Sequence, residues 1–356
     1  MTRAQIIYAH GGWQKRQSAG VRGREYDPGV MRLLAAFVAV SLVASAQTSE
    51  LRLVSTAWPP FTNQPGQPRF ALDLVEAAAE RIGVSLTTTI VDASDFTTAL
   101  LTGQFDGSAA AWKDPERERV LLFSQPYLEN RLILVARRGG DVSAPTLNDL
   151  KGKRIAVVGG YSYGDMVENS GPTFTRSRGE EDSLRLLLTR NVDYALMDEL
   201  VVEYILDHYA KEARAKLQVG SRALVRRPLY LAVRRDRQDA QSIVDRFNAQ
   251  LRAMIADRTY HRLLHVAWIE ADIDGDGVPE FVPQSDQSGP VEPRHAYALF
   301  TNQDQSSETS ATPHRYYFGG NVYSDWASVP NGFKSVDSKQ PYPGRSTASI
   351  FTFSWK

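Results

Sequence analysis

Segments with strand character alternate with segments of helical periodicity along most of this chain. Residues 51–55 form a short apolar run typical of a strand, and a pair of prolines then ends it. Apolar residues between 71 and 82 recur at helical spacing, and Gly83 follows them as a helix stop. Because the alternation continues to residue 266, the sequence predicts an α/β fold in which helices cover a parallel or mixed sheet.

Two similar apolar segments predict that the chain crosses twice between two lobes. Residues 131–138 form one segment and residues 228–234 the other, with a complete α/β unit between them. We therefore expect a first lobe from residues 49–135 and a second lobe from residues 136–228. The chain is then expected to return to the first lobe over residues 229–270.

Residues 105–127 combine a buried strand, a tight loop and a charged turn. Small and apolar residues lead to Lys113, and the charged run 116–119 precedes a return to apolar side chains. Open α/β sheets bind ligands in loops at the carboxyl ends of their strands, so this loop is a candidate binding site. Alternating glutamate and arginine residues are also typical of a solvated, self-paired helical turn, and the residues alone favour that second interpretation.

The same stretch resembles family 3 periplasmic solute-binding proteins, the polar amino-acid receptors of ABC importers. Its matching residues are Asp106, Pro115, Glu116, Arg117, Phe123, Ser124, Pro126 and Tyr127. Other matching segments follow in the family's order between residues 51 and 268, namely 58–61, 149–153, 193–198 and 259–260. The resemblance implies the type II periplasmic-binding fold, in which two α/β lobes are joined by two crossover strands.

The resemblance also implies roles for candidate ligand-binding residues. Arg117 matches the arginine that grips the α-carboxylate of the solute, and Ser162 matches a residue that holds the same carboxylate. Asp198 matches the aspartate that pairs with the α-ammonium group. Trp58 corresponds to an aromatic platform of the side-chain pocket, and Phe96 to an apolar wall.

These roles agree with the chemistry of the residue types. A receptor must satisfy both charges of an amino acid, because an unpaired charge taken out of water costs several kcal/mol. The planar fork of Arg117 suits a carboxylate better than lysine would. Ser162 follows two glycines and is predicted to open a helix, where an anion is favoured. Ser162 and Asp198 are equally compatible with ordinary helix N-caps.

The segment before Arg117 departs from the family. Amino-acid receptors carry hydroxyl residues there, whereas this chain has Ala109, Ala110 and Trp112 and is one residue shorter. Two polar contacts to the solute are therefore missing. Trp112 is a candidate to close the pocket, to stack on a ligand or to pack inside.

Residues 31–46 have the arrangement of a signal peptide. One arginine precedes an apolar run that is too short to span a bilayer, and small residues follow at positions 44–46. A short membrane anchor or a core helix is the alternative. Cleavage predicts a periplasmic or secreted protein with no stable membrane insertion. Residues 1–30 are expected to be a disordered, non-native extension from an upstream start codon.

Charge and cysteine content exclude several classes of function. The chain has 41 lysine and arginine residues against 41 aspartate and glutamate residues, so we expect no nucleic-acid partner. It has no cysteine, which excludes disulfides, thiolate metal sites and cysteine catalysis.

Residues 271–283 contain a candidate calcium loop. Its expected oxygen ligands are Asp272, Asp274, Asp276, the carbonyl of Val278, and Glu280. The spacing resembles the calcium loops of integrin-type repeats, but a full EF-hand is excluded because Pro283 takes the place of the last glutamate. A solvated acidic turn is the alternative.

The remaining residues, 284–356, carry no recognisable functional motif. Their first part is rich in serine, glutamine and proline and predicts a linker. Aromatic residues alternate with glycine and serine from residue 316 onward, which predicts a small strand-rich C-terminal appendage.

The resulting hypothesis is an extracytoplasmic receptor that closes on a small amino-acid-like or carboxylated solute for ABC-type import. Its expected partners are that solute and an ABC permease or membrane sensor, and we expect a monomer. One alternative is a dehydratase-like enzyme on the same fold, which needs an acid or base in the cleft. No histidine or further acid is evident beside Arg117, which favours binding. The other alternative is a stand-alone sensing or interaction module.

We predict that the mature protein begins at Gln47, because residues 44–46 supply the small side chains that signal peptidase needs. N-terminal sequencing of the secreted protein checks this prediction. A first residue upstream of Met31 would show that no cleavable signal is present.

Overall fold

The computed structural model describes residues 49–293, 296–299 and 314–335. The predicted extension and signal peptide, residues 1–46, lie outside these described residues. Within the described ranges, no helix is long and apolar enough to cross a membrane.

The main element of the described chain is a mixed nine-stranded sheet. Its strands are β1 (Ser49–Thr56), β2 (Val84–Val91), β3 (Gly107–Trp112), β4 (Leu121–Phe123), β5 (Leu128–Arg137), β6 (Arg154–Val158), β7 (Thr173–Ser177), β8 (Tyr194–Asp198) and β9 (Leu217–Arg234). They are ordered β2-β1-β3-β9-β5-β8-β6-β7, and β4 pairs with β9. This agrees with the mixed sheet that the alternating segments predict.

Helices cover this sheet. They are α1 (Phe70–Arg81), α2 (Ala93–Leu101), α3 (Pro115–Val120), α4 (Asp165–Glu168), α5 (Glu180–Leu188), α6 (Glu199–His208), α7 (Ala210–Lys216), α8 (Ala240–Ala256) and α9 (Thr259–Leu264). A 3₁₀ helix, Leu147–Leu150, precedes β6. In α1, the apolar residues that share one face are buried. Gly83 then adopts φ +70°, which suits the turn after the helix.

Two long strands join the lobes. The first lobe contains β1–β4 with α1–α3, α8 and α9, and the second contains β6–β8 with α4–α7. Strand β9 pairs with β3 of the first lobe at one end and runs antiparallel to β5 along most of its length. Strand β5 in turn pairs with β8 of the second lobe. Both crossing strands are thus integral to the sheet.

A second, five-stranded sheet forms the described C-terminal region. Its strands are β10 (Trp268–Ala271), β11 (Glu280–Pro283), β12 (Tyr297–Ala298), β13 (Arg315–Phe318) and β14 (Asn321–Tyr323), ordered β12-β10-β11-β13-β14. A 3₁₀ helix, Asn331–Lys334, follows them. The strand-rich appendage is confirmed, but it begins earlier than predicted, because β10 and β11 flank the acidic loop. An aromatic core around Tyr316 and Phe318 holds it together.

The prediction that Ser162 opens a helix is wrong. Helix α4 begins only at Asp165, and Ser162 lies in the loop after β6. The reason is Tyr163, whose ring is buried and whose hydroxyl accepts a hydrogen bond from the Val158 N–H at 3.0 Å. This contact turns the chain inward before a helix begins.

Candidate functional site

A cleft between the two lobes brings together most of the candidate binding residues. It is lined by Thr56, Trp58, Phe96, Ala110, Trp112 and Arg117 from the first lobe and by Tyr161 and Ser162 from the second. Several of these residues lie in loops or helices that follow β1, β3 and β6. Ligands of open α/β sheets bind at such strand ends.

Arg117 is buried beneath the cleft and is only 3% exposed. Its Nη1 donates to the Trp112 carbonyl at 2.9 Å, and its Nη2 donates to Thr97 Oγ1 at 3.2 Å. The guanidinium carbon lies 5.4 Å from the centre of the Phe96 ring. Burial lowers the pKa of Arg117, an effect that Asp114 opposes. A solvated charge run is therefore the wrong interpretation of Arg117.

The Asp114 carboxylate lies between Arg117 and Ser162. Its Oδ2 is 3.2 Å from Arg117 Nε and accepts a short hydrogen bond from the Ser162 hydroxyl. Its Oδ1 accepts the Arg117 backbone N–H at 2.8 Å, which makes Asp114 the N-cap of α3. The two residues that the family resemblance assigns to a solute carboxylate thus both contact a carboxylate of this chain.

Aromatic rings fill the remaining space in the cleft. The ring centres of Trp58, Trp112 and Tyr161 lie 5.6 Å from one another. Trp112 is 5% exposed, and its Nε1 donates to Asn130 Oδ1 at 2.7 Å. The cavity that remains between the rings has a volume of about 20 Å³, which is room for about one water molecule. The structure is therefore a closed form, and an amino acid needs the lobes to separate before it can enter.

Asp198 lies behind the aromatic rings, at the end of β8. Its Oδ1 accepts the Leu200 N–H at 2.8 Å and so caps α6. Its Oδ2 is buried and, among the described residues, has no partner in hydrogen-bond geometry. Burial raises its pKa well above the usual range, and the neighbouring Asn130 amide offsets only part of that effect. The N-cap interpretation of Asp198 holds, and burial favours the protonated form of its carboxyl group.

Glu180 is a second buried acid that sequence reasoning missed. Burial raises its pKa to about 8, an effect that the nearby Trp58 side chain partly offsets. Its Oε2 also has no hydrogen-bond partner in the described part of the chain. Asp114 corrects the expectation that no further acid lies beside Arg117, and Glu180 lies near Trp58 of the cleft. Glu180 belongs to the acidic run 180–182, which is favoured at any helix N-terminus, so the sequence does not mark it.

The two lobes, the paired crossover strands and the interlobe cleft define a type II periplasmic-binding protein. A sequence model of the bacterial extracellular solute-binding proteins, family 3, matches residues 52–270, which is more than half of the chain. The chain therefore belongs to this family. It is accordingly an extracytoplasmic solute-binding protein by family, as the resemblance implies.

Known proteins are similar to this chain in sequence, and solved structures are similar to it in fold. ABC transporter arginine-binding protein 1 of Escherichia coli (strain K12) is 24% identical over 238 residues, 65% of this chain and 96% of that protein. Membrane-bound lytic murein transglycosylase F of Ectopseudomonas mendocina (strain ymp) is 30% identical over 186 residues, 48% of this chain and 37% of that protein. A solved structure of the ancestral amino acid-binding protein AncCDT-1, a precursor of cyclohexadienyl dehydratase, is 23% identical with a TM-score of 0.50. That match covers 61% of this chain and 94% of the ancestral protein.

Gly160 lies where the lobes touch in the closed form. A Cβ atom there would be 2.3 Å from the backbone oxygen of Ala93, which belongs to the opposite lobe. Gly160 also has φ +79°, so any side chain adds backbone strain. Gly152 is a matched control, because it has φ +78° and open space around its Cβ position.

We predict that Gly160→Ala holds the lobes apart, whereas Gly152→Ala leaves them closed. Both variants should lose about 1–2 kcal/mol of stability through the left-handed backbone conformation. Small-angle X-ray scattering should give a larger radius of gyration for Gly160→Ala only. Equal radii in the two variants would show that Gly160 does not limit closure.

Proposed function

We propose that this protein is an extracytoplasmic receptor that closes its lobes on a small amino-acid-like solute and presents it to an ABC-type permease. The observation that carries the proposal is the placement of Arg117 and Ser162 at one cleft, with the buried acid Asp198 behind its aromatic rings. Arg117 and Ser162 contact the Asp114 carboxylate there, and Oδ2 of Asp198 has no partner in hydrogen-bond geometry among the described residues. An α-carboxylate and an α-ammonium group together match this arrangement. A membrane sensor is the alternative partner of the closed receptor.

The solute carboxylate takes the place of Asp114 in this mechanism. The closed cleft has room for about one water, so the crossing strands must first let the lobes separate. Arg117 and Ser162 are then free to exchange the Asp114 carboxylate for that of the solute. The exchange conserves the number of charge-assisted contacts, which keeps the buried guanidinium neutralised throughout.

Glu180 favours a solute with an additional cationic group. A carboxyl group whose pKa is about 8 gives up its proton readily when a cation approaches, because the cation replaces the missing solvation. Asp198 and Glu180 together therefore suit the two positive groups of a basic amino acid. The relative from Escherichia coli is named for binding arginine, which supports L-arginine as the first solute to test.

A dehydratase-like enzyme is the second candidate. A buried acid that stays protonated near neutral pH can act as a general acid, and Glu180 has that property. The ancestral neighbour is described as a precursor of cyclohexadienyl dehydratase, which is consistent with such a step. Turnover of a cyclohexadienyl substrate that disappears in Glu180→Gln would favour the enzyme. Solute binding without turnover favours the receptor.

We predict that Arg117→Ala costs about 2–5 kcal/mol of binding free energy, because the solute carboxylate is left desolvated and unpaired. Arg117→Lys should also bind weakly, since lysine cannot reproduce the planar fork. Asp114→Asn should bind more tightly, because asparagine still caps α3 but no longer competes as a carboxylate. Calorimetric titration with L-arginine, after a thermal-shift screen of amino acids and small carboxylates, measures all three.

Arg119→Ala is the control for these variants, because Arg119 is exposed on the same helix. It should bind like the unmodified protein. Equal affinity in every variant would remove the carboxylate clamp. A screen in which no solute raises the melting temperature would count against the receptor itself.

We predict that the affinity for L-arginine rises with pH between about 6 and 8. The free protein holds a proton on Glu180 below its pKa of about 8, and binding a cation must release that proton. Without solute, the sign is opposite for folding. A carboxyl whose folded-state pKa exceeds its unfolded value of 4.5 makes the protein less stable as pH rises from 4.5 to 8.

Titrations of Glu180→Gln across this pH range test the assignment. The variant should bind L-arginine more weakly and lose the part of the pH dependence that Glu180 supplies. Glu181→Gln, the neighbouring residue on α5, is the control and should keep it. A pH dependence that persists in Glu180→Gln would assign the proton to another group, with Asp198 the first to examine.

A further inference from the structure

The loop between β10 and β11 gathers carboxylates far from the lobe interface in sequence. Asp272, Asp274 and Asp276 are exposed, and one oxygen from each lies within 4.8 Å of the others. Exposed acidic side chains often gather in turns without binding anything. The cluster by itself therefore does not define a site.

Glu280 gives the loop a second and independent feature. This side chain is 0% exposed, and its Oε2 accepts the Ile273 N–H at 2.9 Å. Its Oε1 accepts no hydrogen bond of good geometry from the described residues, although it lies 2.8 Å from Arg315 Nη2. A buried carboxylate oxygen thus faces the exposed cluster with only a poorly aligned cation beside it.

The Arg315 guanidinium occupies the point where these oxygens converge. Its Nη2 lies 2.7 Å from Asp274 Oδ2 and 2.8 Å from Glu280 Oε1. Its Nη1 lies 2.6 Å from Asp276 Oδ2. Arg315 reaches this point because β13 runs parallel to β11 with Arg315 beside Glu280. One positive charge therefore stands among four carboxylates, counting Asp272.

We propose that this loop is a calcium site in which Ca²⁺ replaces the Arg315 guanidinium. The oxygens that already converge on Arg315 would hold the ion, together with Asp272 and the backbone carbonyl of Val278. Calcium accepts about six to eight oxygens at roughly 2.3–2.6 Å, so a small contraction of the present spacing suits it. A divalent ion also neutralises more of the acidic cluster than one guanidinium does.

Arg315 acts as a built-in competitor in this site. When calcium is scarce, the arginine limits repulsion among the carboxylates and keeps β13 against β11. When calcium is abundant, the ion takes the oxygens and the guanidinium moves out toward water. The competition lowers the calcium affinity toward the range of about 0.1–1 mM that is typical of extracellular modules.

Calorimetric titration and thermal melting of the purified protein with CaCl₂ test the proposal. The unmodified protein should bind calcium and melt at a higher temperature when it is added, since a metal that binds the folded state stabilises it. Arg315→Gln should melt at a lower temperature without calcium and bind the ion about tenfold more tightly, because no arginine has to be displaced. Asp274→Asn combined with Asp276→Asn should abolish binding.

Two controls separate competition from general charge effects. Arg258→Gln removes an equal charge from a neighbouring arginine that pairs with Asp286, and it should bind calcium like the unmodified protein. MgCl₂ should compete poorly, because Mg²⁺ requires a stricter octahedral geometry and dehydrates reluctantly. Arg315→Lys, which keeps the charge but not the fork, should give an intermediate affinity if Arg315→Gln folds poorly.

Two results would overturn the proposal. If neither the unmodified protein nor the Arg315 variants bind calcium, the loop is a salt-bridged acidic turn. If calcium binds with the same affinity with and without Arg315, the ion does not replace the guanidinium. The proposed function of the cleft is tested by separate variants, because the cleft and this loop share no residue.

Discussion

The buried guanidinium of Arg117 is the main electrostatic constraint on the cleft, because its charge must be neutralised by neighbouring groups. Arg117 lies almost out of reach of water, so its charge requires partners at every stage of opening and closing. The Trp112 carbonyl and Thr97 hydroxyl occupy its two terminal nitrogens, and Asp114 supplies the negative charge. Ser162 contacts that same carboxylate from the other lobe. The closed form is therefore held in part by this contact between the lobes.

Both candidate sites of this protein contain an internal group with the charge of the expected ligand. Asp114 stands where a solute carboxylate is proposed, and Arg315 stands where a calcium ion is proposed. Such a group prevents the cost of an isolated buried charge when the ligand is absent, and it lowers ligand affinity by the free energy needed to displace it. The internal group also makes each proposed site more specific for its ligand, because a ligand must offer at least the contacts that the internal group already makes.

Local patterns predicted the elements of the fold, whereas the side-chain environments depend on contacts between distant segments. The helical spacing of Ala71, Leu74 and Val75 is a local property, and α1 follows it. Arg117 and Arg119 look alike in sequence, and only Arg117 is buried, because Phe96 and Thr97 of α2 cover it. The resemblance to the family distinguished Arg117 as a candidate site residue, whereas the local charge pattern alone favoured a solvated turn.

The same limit explains the residues that sequence reasoning missed or misplaced. Asp114 resembles any N-cap until the second lobe brings Ser162 to it. Arg315 lies 35 residues beyond Glu280 in the numbering, and only the parallel pairing of β11 and β13 joins them. Ser162 was expected to begin a helix, but the buried Tyr163 ring changes the path of the chain. Each case depends on a long-range contact.

The C-terminal sheet contacts the buried ion pairs beside the crossover strands. The buried Arg131 of β5 pairs with Glu199 at 2.7 Å, and Glu129 pairs with Arg226 of β9. Strand β12 adds a hydrogen bond to each acid, from the Tyr297 hydroxyl to Glu199 at 3.1 Å and from the Ala298 N–H to Glu129 at 3.2 Å. These two hydrogen bonds therefore connect the C-terminal sheet to the buried ion pairs of β5. Because Glu199 directly follows Asp198, these contacts lie next to the buried Asp198 carboxyl group.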